Sequence, residues 1–351
     1  MTTLIHDAIT LLKDLIALPS FSSEEDQTAQ RIEQWFGEHN IPHQRQNNNI
    51  YALNAAFDAS KPTLLLNSHH DTVRPNAAYT NDPFHAHVID GKLYGLGSND
   101  AGGALVSLIA LFTHYYHHQD LAYNLVIAAT AEEESSGDKG LNSLLPHLPK
   151  IDVAIVGEPT LMELAIAEKG LVVFDGVISG TASHAAHPNP ENPILKLPQV
   201  IHWLEDFSFD KVSNQLGPVK LTITQVNAGK QHNVVPSEVE LVIDVRVNDC
   251  YSNQEIVNIL QKDAPLALTP RSIDLNSSAI PKEHSLVQAG MALGKQTYGS
   301  PTLSDQAKLS CPSLKLGPGD STRSHTADEF IYLSEIEEAI PFYIQLLKKI
   351  L

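Results

Sequence analysis

The sequence predicts an α/β protein in which a doubly wound, mostly parallel sheet domain carries an inserted, smaller ferredoxin-like α+β domain. Two observations lead to this prediction. Helical patterns alternate with short apolar runs along residues 1–170, as expected where the strands of a parallel sheet are buried on both faces. Residues 171–278 instead follow the order β-α-β-β-α-β, which is typical of ferredoxin-like domains. We therefore expect one domain from residues 1–170 and 279–351, and a second from residues 171–278.

The first domain begins with two predicted helices. Residues 3–18 place leucines on one face, and Pro19 ends the pattern. Ser22, with Glu25 three residues on, has the spacing of a capping box, which predicts a second helix that ends at Gly37. Four buried parallel strands and one long helix follow: strands over 63–67, 125–130, 153–157 and 313–317, and a helix over 101–116.

The middle of the chain differs in its order of predicted elements. Its predicted strands cover residues 171–178, 220–226, 239–247 and 271–275, and its predicted helices cover residues 197–207 and 253–261. The late strand over residues 313–317 and a final helix return to the pattern of the first domain. The second domain is therefore expected to be an insertion.

Composition excludes several classes of protein. The chain of 351 residues has 23 Lys and Arg against 41 Asp and Glu, a net charge of −18, so nucleic acid and anionic lipid are not expected partners. No apolar run reaches the roughly 20 residues of a membrane helix, and the N-terminal pattern is that of an amphipathic helix rather than a signal peptide. Two cysteines are too few for a disulfide scaffold. We expect a soluble, cytoplasmic protein with reduced thiols.

Histidines and carboxylates follow the predicted strands of the first domain. They are His69 and Asp71 after the first strand, Glu133 and Glu134 after the second, Glu158 after the third and His325 after the fourth, with Asp100 before the long helix. In open α/β sheets, ligands bind beyond the carboxyl ends of the strands. Because so many carboxylates at one edge repel one another unless a cation neutralises them, the pattern predicts a metal site.

The number and type of these groups favour two metal ions. Two imidazoles and three carboxylates match a pair of Zn²⁺ ions that share one carboxylate. Side chains at i and i+2 of a strand end share a face, so Asp71 is expected to orient His69 through its second ring nitrogen. Glu133 and Glu134 point in different directions, so one can bind metal while the other handles water.

These residues resemble the M20 metallopeptidase family. The matching segments are Ser68-His69-His70-Asp71-Thr72-Val73, Asp82-Pro83-Phe84, Gly91-Lys92-Leu93-Tyr94-Gly95-Leu96-Gly97-Ser98-Asn99-Asp100, Glu132-Glu133-Glu134, Val156-Gly157-Glu158-Pro159-Thr160 and Gly317-Pro318-Gly319 with His325. The resemblance implies a catalytic domain, a lid domain that often dimerises, and two zinc ions for which cobalt often substitutes. Within the family, the sequence most resembles the acetylornithine deacetylase branch, with the succinyl-diaminopimelate desuccinylase and acetyl-lysine deacetylase branches nearby.

The resemblance also implies a role for each site residue. Asp100 would bridge the two metals. His69 and Glu158 would complete the ligands of one metal, and Glu134 and His325 those of the other. Glu133 would be the general base, and Asp71 would orient His69. In the lid, His184 of Gly180-Thr181-Ala182-Ser183-His184 matches a histidine that reaches into the partner subunit's site, and Asn233 and Arg246 match positions that hold the substrate carboxylate. The implied partners are a small N-acyl amino acid and a second copy of the chain.

The expected activity is removal of the acetyl group from N2-acetyl-ornithine in arginine biosynthesis. Leu96 stands where the family usually has Arg, and Ala101-Gly102-Gly103 where it usually has Met-Lys-Gly, but neither change removes a ligand. The desuccinylase motif Gly-Gly-Thr-Ser-Asp appears only as Pro301-Thr302-Leu303-Ser304-Asp305. The alternatives are a deacylase of acetyl-citrulline, acetyl-lysine or succinyl-diaminopimelate, an aminopeptidase or dipeptidase, and a metal-binding protein without catalysis.

Overall fold

The computed structural model describes all 351 residues, and they form two compact units. The first unit comprises Met1–Ile166, Ala279–Tyr298 and Ser304–Leu351, and the second comprises Ala167–Ser278 and Gly299–Leu303. None of the helices has both the length and the apolar character that crossing a membrane requires.

The elements follow one another in a mixed α/β order. Up to the second unit they are α1 (Thr2–Ile16), α2 (Asp26–Glu38), β1 (Gln44–Gln46), β2 (Asn49–Leu53), β3 (Thr63–His69), β4 (His87–Ile89), β5 (Lys92–Tyr94), α3 (Gly103–Tyr115), β6 (Asn124–Thr130), α4 (Leu141–Leu144), β7 (Val153–Val156) and β8 (Leu164–Glu168). Next come β9 (Gly170–Ser179), β10 (Ser183–His184), α5 (Leu197–Asp206), β11 (Lys220–Ala228), β12 (Val234–Val235), β13 (Glu238–Val247), α6 (Asn253–Asp263) and β14 (Ala267–Pro270). The chain ends with β15 (Ser278–Ala279), α7 (Ser285–Ala292), β16 (Thr297–Ser300), β17 (Ser313–Lys315), β18 (Phe330–Tyr332) and α8 (Leu333–Leu347).

A nine-stranded sheet is the centre of the first unit. Its order is β1-β2-β6-β3-β7-β17-β8-β15, with β16 also paired to β8. The four predicted strands form its middle, where β3 pairs in parallel with both β6 and β7, and β17 pairs in parallel with β7. Every residue of β3 and β6 is buried, which explains their continuous apolar runs. The predicted doubly wound, mostly parallel sheet is confirmed.

The main core of this unit packs around α3. Eleven of the 13 residues of α3 are buried, because α1 and α8 pack against it. Leu11 and Leu12 of α1 and Tyr343 of α8 belong to the same buried cluster as Leu108 of α3. A helix with so much of its surface covered gives a rigid base for the turn that precedes it.

The start of α2 differs from the prediction. The helix begins at Asp26, and its N-cap residue, Glu25, makes no side-chain cap. The Ser22 hydroxyl instead donates to the Asp71 carboxylate at 2.7 Å, and the Ser23 hydroxyl donates to Glu132 at 2.6 Å. The predicted capping box is wrong because a carboxylate distant in sequence binds Ser22 instead.

The second unit contains a four-stranded antiparallel sheet in the order β11-β13-β9-β14. Numbered along the chain, this is the order 2-3-1-4 of a β-α-β-β-α-β ferredoxin-like unit, as predicted. One strand is misplaced in the prediction: β14 covers Ala267–Pro270 and pairs with Phe174–Val177 of β9, whereas residues 271–275 follow it. Arg271, the first residue of the predicted strand, is exposed and forms a surface ion pair with Asp175 of β9.

Candidate metal centre

His69 is the last residue of β3, and 1% of its surface is exposed. Its Nδ1 lies 2.9 Å from the backbone oxygen of Asp71 and 3.4 Å from Asp71 Oδ1. With the proton on Nδ1, the ring donates to Asp71, and Nε2 faces Asp100 and Glu158. The distances from Nε2 to their nearest carboxylate oxygens are 3.3 Å and 3.8 Å. A histidine oriented by one nitrogen and open at the other is suited to bind a metal ion.

Asp100 lies on an irregular turn at the start of α3. Residues Ser98–Gly102 form a π-helical turn in which Asp100 departs from helical geometry, with φ −116° and ψ 98°. The two oxygens of its carboxylate face different imidazoles. Oδ1 is 3.3 Å from His69 Nε2, and Oδ2 is 3.6 Å from His325 Nε2. A carboxylate in this position can bind one cation through each oxygen.

Glu134 and His325 lie on the outer side of Asp100. His325 Nε2 is 2.9 Å from Glu134 Oε2, and this hydrogen bond raises the pKa of His325 to about 9. The His325 side chain is 55% exposed, in contrast to that of His69. The structure therefore brings these two residues together with Asp100.

Two groups of three residues, which share His69, each place their ligand atoms within 4.8 Å of one another. One group is His69, Asp100 and Glu134, and the other is His69, Glu133 and Glu158. All five metal ligands expected from the sequence, and the expected base Glu133, lie at this edge of the sheet. By distance, both Glu133 and Glu158 can reach a cation bound at His69.

The electrostatics of the cluster fit a cation. Burial, with Asp100 adding to it, raises the pKa of Glu158 to about 8. Burial likewise raises the pKa of Glu133 well above its usual value, and the neighbouring carboxylates Glu158, Asp305 and Glu134 act in the same direction. Carboxyl groups that retain protons in this way release them when a divalent ion binds. Imidazole nitrogens with carboxylate oxygens are the donors that zinc and similar divalent ions accept, so the residues fit such ions.

Asp71 contacts more than the sequence predicts. Besides facing His69, its carboxylate accepts hydrogen bonds from the backbone N–H of Glu133 at 3.0 Å and of Glu134 at 3.1 Å. Ser22 donates to it as well. Burial opposes ionisation, but the hydrogen bond from His69 lowers the pKa of Asp71. One ionised carboxylate thus positions both the imidazole and the turn that carries the two glutamates.

Sequence reasoning missed two buried carboxylates near the centre. Asp305 accepts a hydrogen bond from the Thr130 hydroxyl at 2.8 Å, and burial raises its pKa to about 6. Glu329 accepts hydrogen bonds from the backbone of the Asp100 turn, and burial raises its pKa to about 8. Asp305 begins a single 3₁₀ turn, and Glu329 precedes a strand of three residues. Neither follows an apolar run of the kind that marks the other site residues.

The other expected site residues lie in the second unit. His184 in β10 is exposed, and its Nδ1 accepts a hydrogen bond from the Ala186 N–H at 3.1 Å. Asn233 is near it in this unit, since its backbone oxygen binds the Ala185 N–H and the next residue pairs with His184. Arg246, in β13, is half-buried and bonds to Asp244. The structure brings His184 and Asn233 together at the two-stranded β10/β12 pair, whereas Arg246 lies in the separate four-stranded sheet.

Comparison with curated proteins finds relatives along nearly the whole chain. A succinyl-diaminopimelate desuccinylase of Cereibacter sphaeroides (strain ATCC 17025 / ATH 2.4.3) is 24% identical over 375 residues, which covers 97% of this chain and 98% of the relative. The desuccinylase of Rickettsia akari (strain Hartford) is 26% identical over 383 residues, covering 98% of this chain and 100% of the relative.

Solved structures show the same fold. A metallo-carboxypeptidase of the M20 family from Sulfolobus solfataricus aligns with a TM-score of 0.76 at 15% identity, covering 97% of this chain and 98% of that one. A dinuclear metal binding peptidase of the M20 family from Bacillus subtilis aligns with a TM-score of 0.73 at 17% identity, covering 99% and 98%.

A family model describes most of the chain and agrees with the site. It matches residues 65–349, which include the whole cluster from His69 to His325. The predicted family is confirmed, and with it the expectation of a metal-dependent hydrolase of amide bonds. The chain belongs to the peptidase family M20/M25/M40.

Proposed function

We propose that the protein is a two-metal amidohydrolase that removes the acetyl group from an N-acetyl amino acid, with N2-acetyl-ornithine as its substrate in cytoplasmic arginine biosynthesis. The observation that carries the two-metal part is the position of Asp100. Its oxygens lie 3.3 Å from His69 and 3.6 Å from His325, so a single carboxylate faces two separate imidazoles.

The proposed ligands divide into two sets that share Asp100. His69 and Glu158 would complete the inner position, and Glu134 and His325 the outer one. The short distances from His69 to Glu158 and from His325 to Glu134 support this division. We propose zinc at both positions, with cobalt as a substitute, because both ions accept nitrogen and oxygen ligands.

Two ions held by these residues would supply Lewis acidity and would lower the pKa of a water molecule from 15.7 towards about 7. The protein then has to move one proton. We propose that the Glu133 carboxylate takes a proton from the attacking water and returns it to the nitrogen of the departing amine. Asp71 supports this role because it holds the backbone N–H of Glu133 and so fixes where the side chain starts.

The substrate carboxylate needs a different part of the chain. The planar guanidinium of Arg246 suits a carboxylate, and we propose that Arg246 and Asn233 bind it. We propose that His184 donates a hydrogen bond to the oxygen that develops charge. Within one chain, His184 lies in the β10/β12 pair, and the chain continues from the end of β12 at Val235 into β13, which begins at Glu238. Arg246 is eight residues further along that strand, roughly 26 Å at about 3.3 Å per residue.

This separation favours a homodimer. A small substrate that touches Arg246, Asn233 and His184 then contacts Arg246 of one chain, and Asn233 and His184 of another. We therefore propose that residues 171–278 form a lid and dimerisation domain, and that His184 acts on the site of the partner subunit.

A panel of substrates tests the proposed reaction. The protein, loaded with zinc, is assayed on N-acetyl and N-succinyl derivatives of ornithine, citrulline, lysine and diaminopimelate, and on an unblocked dipeptide. We expect the largest kcat/KM for N2-acetyl-ornithine. A larger value for a succinyl derivative supports the second candidate, desuccinylation, which the names of the curated relatives favour. A preference for the dipeptide contradicts the deacylase proposal, and no hydrolysis of any compound contradicts catalysis.

A further inference from the structure

The turn that carries Asp100 is held by a carboxylate that the proposed metal positions do not use. Glu329 lies directly before β18, and only 2% of its surface is exposed. Its Oε1 accepts hydrogen bonds from the backbone N–H groups of Asn99 at 2.8 Å and Asp100 at 2.9 Å. Its Oε2 accepts a third from the N–H of Gly97 at 3.1 Å.

The turn has few other ways to satisfy these groups. Asp100 and Ala101 have non-helical dihedral angles, so the regular hydrogen bonds of a helix do not run through them. Buried backbone N–H groups need acceptors, and a glutamate with two oxygens provides them for three donors at once.

The backbone at Glu329 is also held in place by hydrogen bonds. Its backbone oxygen accepts a hydrogen bond from the Gly95 N–H at 3.0 Å. The strand that follows it, β18, pairs antiparallel with β5, with Phe330 opposite Tyr94. The carboxylate of Glu329 therefore reaches the turn from a residue next to a paired strand, and its hydrogen bond ties the Asp100 N–H to that strand.

We propose that Glu329 is a positioning residue that holds the Asp100 turn so that the two oxygens of Asp100 face His69 and His325. This inference rests on the proposed two-metal centre. Tilting the turn would move Asp100 relative to both imidazoles, so the loss of Glu329 weakens metal binding without removing a ligand. If Glu329 only stabilised the fold, its substitution would lower the stability of the protein and leave the affinity for metal unchanged.

The test uses the full chain freed of metal and the variant Glu329→Gln. Glutamine keeps the shape but places an NH₂ group opposite an N–H that needs an acceptor. Zn²⁺ and Co²⁺ are titrated into each protein, and the visible spectrum of the Co²⁺ form reports ligand geometry. We expect a loss of affinity of about 10–100-fold at one or both positions, as is usual when a group that orients a ligand is changed. We also expect an altered Co²⁺ spectrum, and at saturating metal a lower kcat with KM nearly unchanged.

Asn124 provides a matched control. It is buried at the start of β6, at the other end of the strand from the metal centre, where it accepts from the Asp58 N–H and donates to the oxygens of Asp58 and Lys61. Asn124→Ala removes several hydrogen bonds to a loop, as Glu329→Gln does. It should lower the melting temperature of the metal-free protein and leave metal affinity and the Co²⁺ spectrum unchanged.

The outcomes separate the two proposals. If the unaltered protein fails to bind two ions, the proposed function fails. If it binds two ions and Glu329→Gln binds both with the same affinity and spectrum, the positioning role is wrong. If Glu329→Gln does not fold, amide hydrogen exchange of residues 97–100 in the unaltered, metal-free protein decides. Slow exchange supports the role of Glu329, and exchange as fast as in an exposed loop overturns it.

Discussion

Asp71 and Asp100 illustrate how contacts distinguish two carboxylates in one cluster. The oxygens of Asp71 are occupied by the protein, since they accept from two backbone N–H groups and the Ser22 hydroxyl. The oxygens of Asp100 face two imidazole nitrogens instead. Only the second arrangement leaves lone pairs for cations. Asp71 is therefore suited to orient its neighbours, and Asp100 to bind metal.

A first prediction at this scale concerns Asp100→Ala. A bridging carboxylate offsets the repulsion between two divalent ions about 3.5–4 Å apart, so its removal should empty at least one position and abolish most activity. Metal content by elemental analysis after dialysis measures the effect. Asp152→Ala is the control, because Asp152 accepts from the Thr63 N–H at the opposite end of β3. Full occupancy of both positions in Asp100→Ala would exclude a bridging role.

A second prediction concerns Glu133→Gln. Glu133 binds Asp71 through its backbone N–H, so the substitution keeps the turn in place while removing the carboxylate that accepts a proton. General base catalysis contributes typically 10²–10⁴-fold, and kcat should fall by about that factor. Both metals should remain. A protein that retains only one metal would show that Glu133 is a ligand, because Glu133, like Glu158, has a carboxylate oxygen within 4.8 Å of a His69 nitrogen.

At the scale of elements, the sequence predicted the features that depend on residues close together along the chain, such as the central strands. The central strands are continuous apolar runs because both faces of the sheet are covered, and the site follows because their carboxyl ends meet at one edge. Ser22 and Glu329 are different. Their partners, Asp71 and the backbone of residues 97–100, are 49 or more residues away along the chain, so no local pattern reveals the contact. The sequence predicted the side chains that meet at this edge and Asp71 beside His69, but not the contacts made by Ser22 and Glu329.

A third prediction belongs to α6. The Ser252 hydroxyl accepts from the Glu255 N–H, and the Glu255 side chain accepts from the Ser252 N–H, which is a capping box. Ser252→Ala should lower the free energy of unfolding by about 1 kcal/mol, as measured by urea denaturation. Ser272→Ala is the control, since its hydroxyl bonds only within a loop, to Asp274, and the effect should stay within about 0.5 kcal/mol. Equal effects of the two substitutions would mean that the cap contributes nothing of its own.

At the scale of the whole molecule, metal binding should be coupled to folding. The proposed ligands come from five segments between residues 69 and 325, and they converge only in the folded chain. A ligand that binds only the folded state at 100 times its Kd adds about 2.7 kcal/mol of stability. We therefore predict that removing metal with a chelator lowers the melting temperature and that zinc restores it. An unchanged melting temperature in Asp100→Ala after zinc addition is the matching control.

A fifth prediction concerns assembly and His184. His184→Ala should keep its zinc and lose about 10²–10³-fold in kcat, the usual cost of one donor to a developing oxyanion. If His184 acts in the partner's site, mixing His184→Ala with Glu133→Gln restores activity, because one site of the mixed dimer has both groups. Mixing Glu133→Gln with Asp100→Ala should restore no activity, because each substitution inactivates the metal centre of its own chain and the mixed dimer then has no intact site. Exchange of differently tagged subunits without any recovery would assign His184 to its own chain or to no catalytic role.

The unequal exposure of the two imidazoles has a consequence for any purified sample. The His69 side chain is 1% exposed and that of His325 is 55% exposed, so water and small chelators reach one far more readily than the other. We expect ions to leave and enter through the His325 side first, while the ion beside His69 exchanges slowly. A preparation with one equivalent of metal is then a single defined species rather than a random mixture. Loading a different ion afterwards would give a protein with two unlike metals in a known order.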